Sequence, residues 1–63
     1  MDIERLRYMA NQIAANLAQE ADPAAATAEH IRLYWDPRMK RQLISQGAEG
    51  LSPVAASALA LIG

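Results

Sequence analysis

Apolar residues recur along this chain at spacings of three and four, the period of a helix face, and nowhere alternate strictly as a half-buried strand requires. Ile3, Leu6, Ala10, Ile13 and Leu17 form the first stripe, which Met9 and Tyr8 widen. Arg5, Arg7, Asn11, Gln12 and Gln19 fall elsewhere. Asp2 is placed to cap this helix, and Glu4 lies in its first turn, where the helix dipole favours an anion. The pattern predicts a helix over residues 3–20. A second helix starts at Asp22-Pro23 and runs through Ala24-Ala25-Ala26, strong helix formers. Its expected buried face is Ala24, Ala28, Ile31 and Trp35, with Tyr34 alongside. Asp36-Pro37 ends it and opens a third helix carrying Met39, Leu43 and Ile44, which stops near Gly47 and Gly50. Ser52-Pro53 opens a short last helix with Val54, Ala58, Leu61 and Ile62.

Three helix starts thus share one signal, a capping side chain with proline next to it. The signals lie 14 and 16 residues apart and lead into unlike segments, so there is no internal repeat. The expected architecture is all-α: a small bundle of three main helices plus a short C-terminal helix, one domain over residues 1–63. Alanine-rich faces predict helices that approach one another closely.

Size changes how this pattern is read. A 6.8 kDa globule exposes roughly 4,000 Å² and is marginal by itself. Small domains usually lean on disulfides, a metal, a partner or very regular packing. The chain has no cysteine and one histidine, so partner binding is the prop its composition favours. A formal charge of −1 argues against a general polyanion binder. Arg5, Arg7, Asn11 and Gln12 interrupt any signal-peptide core, and the apolar run over residues 54–62 falls far short of a bilayer span. The chain is expected to be soluble and cytoplasmic, with neither membrane nor nucleic acid as partner.

The densest chemistry lies at Tyr34-Trp35-Asp36-Pro37-Arg38-Met39. Proline pushes the preceding residue out of helical geometry, so this stretch is a corner between two helices. Aromatic residues lead into it and Arg38, Lys40 and Arg41 lead out. Trp35 reads either as the core anchor of a tiny domain or as an interface anchor, since tryptophan, tyrosine and arginine dominate hot spots. The cations sit at the end of a helix that disfavours them, which fits either a solvated face with local pairs such as Arg38 to Asp36 or an acidic partner surface. His30, next to Glu29, lacks companions for a metal site and reads as a surface or boundary residue. Among Asn11, Gln12 and Asn16, Asn16 lies nearest the apolar stripe, and its amide needs partners, either within the bundle or on another subunit's backbone. Catalysis is close to excluded: there is no thiol nucleophile, no Gly-rich phosphate loop and no nucleophile–base–orienter set.

These residues carry a family resemblance. His30-Ile31-Arg32, the Tyr34-to-Met39 stretch and Leu43 resemble the central motif of the delta subunit of NAD-dependent formate dehydrogenases, soluble molybdenum or tungsten enzymes. The run Arg7-Tyr8-Met9-Ala10-Asn11-Gln12-Ile13-Ala14-Ala15-Asn16 and the tail Leu51-Ser52-Pro53-Val54-Ala55-Ala56 are similar to that family too, in the right order. The resemblance implies a non-catalytic accessory subunit that supports assembly or stability of the catalytic subunits as they oxidise formate to CO2 and reduce NAD. It implies no cofactor in this chain. The large catalytic and electron-transfer partners are the ones expected to carry pterin-bound molybdenum or tungsten, iron–sulfur clusters and FMN. Partner contact is assigned to Tyr34, Trp35, Asp36, Arg38 and Met39. The alternatives are a free-standing helical adaptor or homodimer, and a helix-turn-helix regulator of nucleic acid, which the missing turn glycine and the negative charge oppose.

Overall fold

The computed structural model describes residues 2–63 as four helices: α1 (Ile3–Asn16), α2 (Pro23–Tyr34), α3 (Pro37–Gln46) and α4 (Pro53–Ile62). Among the described residues there is no strand. Each helix starts on a capping side chain. Asp2, Asp22 and Asp36 accept from the amides of Glu4, Ala25 and Met39, and Ser52 accepts from Ala55. Each such cap answers a backbone donor that the helix itself leaves orphaned. Three of the four caps precede proline, whose fixed φ suits the first helical position.

α1 stops at Asn16, not at residue 20. Leu17 closes it, donating to the carbonyl of Ile13, and a looser turn comes next with Glu20 N–H on Leu17 O at 3.1 Å. The reason is burial. Residues 18–22 are all exposed, so another helical turn would gain no packing.

The core joins all four helices through Leu6, Ala10, Ala14, Ile31, Trp35, Leu43, Ala55 and Leu59. α2 and α4 form the most extensive pair, and α1 packs against the other three. Ala28 and Ala58 are completely buried on the α2 and α4 faces, where small side chains let backbones approach. The surface area is 4024 Å², matching the scaling expectation for this mass.

Several positions depart from the expected faces. On α1, Ala14 is buried while Ile3, Ile13 and Leu17 are half-buried, so the stripe is rotated toward its alanines. Tyr8 does not widen the stripe; it is exposed, and its hydroxyl accepts from Gln12 Nε2 at 3.2 Å. On α2, Thr27 is fully buried and Ala24 only partly so. On α4, Ala55 and Leu59 are buried and Leu61 is 51% exposed. α4 is apolar on nearly every side, so periodicity could not choose its face.

Candidate functional site

The corner between α2 and α3 divides its residues between core and surface. Trp35 succeeds α2 in extended backbone, with its N–H on Ile31 O at 3.0 Å, and its ring enters the core with only 6% of the residue exposed. Asp36 is extended too, as a residue before proline must be. Its Oδ1 accepts Met39 N–H at 3.0 Å, and its carbonyl accepts Lys40 N–H at 3.2 Å. Met39 is half-buried against the core cluster. Tyr34 and Arg38 point away: Tyr34 is 73% exposed and Arg38 is exposed. The five positions expected from the sequence to contact a partner therefore divide into a surface of Tyr34, Asp36 and Arg38 and a base of Trp35 and Met39. His30 steadies Tyr34, with ring centroids 4.7 Å apart at 42°. No ion pair joins Arg38 to Asp36 among the described residues.

The cations beyond the corner are arranged by the fold. Lys40 Nζ reaches Arg32 O at 3.4 Å, in the last turn of α2, and Arg32 Nη2 donates to Leu61 O at 3.0 Å, near the end of α4. Both charges thus lie at helix C-termini, where carbonyls are unpaired and the dipole is negative. Lys40 sits in the first turn of α3, which disfavours a cation, yet it serves α2. Arg32, Lys40 and Arg41 then border an open cleft of about 340 Å³, floored by Pro37, Ile44 and Ile62. Sequence reasoning grouped the three α3 cations and quoted Arg32 only within the family motif, since its place beside them depends on α4 lying along α2.

The amide that organises the fold is Asn11, not Asn16. Asn11 Nδ2 donates to Gly50 O at 3.0 Å and Oδ1 accepts Ser52 N–H at 2.8 Å, so one side chain pins the α3–α4 loop to α1. Asn16 is exposed at the end of the shortened helix. The extra turn that would have carried the apolar stripe past it does not form.

Among the described residues no group of three His, Asp or Glu side chains comes together to hold a metal, and no helix is long and apolar enough to cross a membrane. A family model, described as the NADH-dependent formate dehydrogenase delta subunit FdsD, matches residues 5–59. No curated protein and no solved structure matches the chain.

Proposed function

The chain belongs to the family of NADH-dependent formate dehydrogenase delta subunits, and on that premise we propose that it is a non-catalytic accessory subunit of a cytoplasmic formate dehydrogenase. The match over residues 5–59 carries this reading, because it spans all of the first three helices but two residues and most of α4. The chain supplies no pterin, iron–sulfur, flavin or nucleotide site of its own. Those groups belong to the large catalytic and electron-transfer subunits, which oxidise formate and reduce NAD. Its contribution is binding energy: a subunit that binds only the assembled state shifts the equilibrium toward it by mass action.

The contact runs through the α2–α3 corner. Tyr34 gives exposed aromatic area, Arg38 a forked charged hydrogen bond, and Met39 an adaptable apolar edge. Trp35 and Asp36 hold these in place from the core and the cap.

Affinity purification of the native protein tests the reading. Large metal- and flavin-containing subunits are expected to co-purify, and elemental analysis of the chain freed from them is expected to find no stoichiometric metal. Recovery of nucleic acid, or of the chain with itself alone, contradicts the proposal.

A further inference from the structure

We propose that the cleft between α2, α3 and α4 docks an acidic segment of a large dehydrogenase subunit, with an apolar side chain on its floor and carboxylates on its rim. The inference rests on the accessory-subunit reading and adds to it a site and a partner chemistry.

Charge complementarity carries it. None of the six residues lining the cleft is acidic, and three of them are cations: Arg32, Lys40 and Arg41. None of the three forms an ion pair among the described residues. The nearest acid in sequence to Lys40 and Arg41, Asp36, has an oxygen committed to the Met39 amide, and Glu29, three residues before Arg32, forms no ion pair with it among the described residues. The nearest negative ends are backbone carbonyls, Leu61 O on Arg32 and Arg32 O on Lys40. Those bonds hold two cationic heads in place while leaving their charge without a carboxylate. Part of the side-chain entropy that binding normally costs is therefore already lost in the free fold, chiefly at Arg32, whose bond is the shorter of the two. Arg41 is exposed beside them.

The floor selects among anions. Pro37, Ile44 and Ile62 are apolar, and Ile44 is 38% exposed. A phosphate backbone gains nothing from such a floor, and nucleic-acid binders usually supply a larger basic excess or aromatic stacking platforms. A peptide with an aliphatic or aromatic residue between carboxylates matches both parts. It buries an anchor in a small pocket with charged groups around it, the usual arrangement of an interface hot spot. A second copy of this chain fits less well. Its exposed Glu29 and Leu33 flank Arg32 on the same helix, so docking them would bring another cation toward the rim.

The test uses the assembled complex, with the tagged chain co-expressed with its dehydrogenase subunits. A photo-crosslinking residue, p-benzoylphenylalanine, replaces Ile44, and mass spectrometry identifies the captured peptide. A peptide from a large subunit with an apolar residue among Asp and Glu supports the cleft. A peptide of this chain, a nucleic acid or a basic peptide overturns it. In parallel, Arg41→Glu is expected to weaken association about tenfold and to flatten its salt dependence, because rim charges set both. Arg5→Glu, exposed on α1, is the control and is expected to change affinity less than about twofold, as a charge outside the contact should. Equal effects of the two reversals overturn the cleft alone. Failure of the wild-type chain to associate with any dehydrogenase subunit overturns the accessory reading and the cleft together.

Discussion

Asn11 Oδ1 accepts the backbone N–H of Ser52 at 2.8 Å, so a side chain on α1 holds the residue that caps α4. Ser52 Oγ then accepts Ala55 N–H at 3.3 Å, and Asn11 Nδ2 closes the clasp on Gly50 O. Removing the amide leaves a part-buried backbone donor and a carbonyl without their partner. Asn11→Ala is expected to destabilise the fold by about 1–3 kcal/mol. Thermal melts read this directly, at about 4–8 °C per kcal/mol for a domain of this size. Gln12→Ala, which loses only an exposed bond to Tyr8, is expected to stay within about 0.5 kcal/mol of wild type. Equal losses for the two variants would show that the clasp is not specific.

Gly47 and Gly50 share a φ of +79° but not their surroundings. A Cβ on Gly47 would meet nothing within 4 Å, whereas one on Gly50 would lie 3.0 Å from Arg7 Cδ. Gly47 pairs that φ with a ψ of −168°, a region essentially reserved for glycine, so Gly47→Ala should cost the backbone penalty alone, about 1–3 kcal/mol. Gly50→Ala should add a steric excess to its own backbone cost, because the Arg7 side chain must give by a few tenths of an ångström. In an Arg7→Ala background the excess should vanish, which a double-mutant cycle measures. An excess that survives Arg7→Ala would assign it to something other than this contact.

Thr27 has no exposed surface, and its hydroxyl finds no hydrogen-bond partner in the structure. Burying an unpaired hydroxyl costs free energy that an isosteric methyl does not. Thr27→Val is expected to stabilise the chain by about 1 kcal/mol, read as a higher denaturation midpoint with an unchanged slope. A loss of stability would mean that the hydroxyl is satisfied after all.

Trp35 and Arg38 separate folding from docking. Trp35→Ala empties the core and should cost about 3–5 kcal/mol, comparable with the whole stability of a domain this small. Its effect on assembly is then a folding effect. Arg38→Ala removes an exposed side chain and should leave helical content unchanged while weakening association with the large subunits. A hot-spot loss is about 2 kcal/mol or more, roughly thirtyfold in affinity. If Arg38→Ala and the control Arg5→Ala, on the exposed side of α1, give the same small, salt-screened change, Arg38 has no specific role.

The α2–α3 corner was legible because its signals are local. Asp36 caps α3 and Pro37 starts it whatever the rest of the chain does. The division of labour at that corner was not legible. Sequence left Trp35 open between core and interface, and placed Tyr34 beside the buried face; packing sent one ring inward and the other out. The cleft was hidden for the same reason, since Arg32 and Ile62 meet α3 residues only once α4 lies along α2.

By itself the sequence determined the number of helices, their starts and the family, because capping, proline geometry and motif order act within a few residues or along the chain. Tertiary structure decided where α1 ends, which face of α4 is buried and which amide holds the loop. Those outcomes depend on what lies opposite each residue. An exposed run after Asn16 gains nothing from another turn, an all-apolar helix has no preferred face until a neighbour covers one, and an amide becomes a clasp only when unpaired backbone comes within reach.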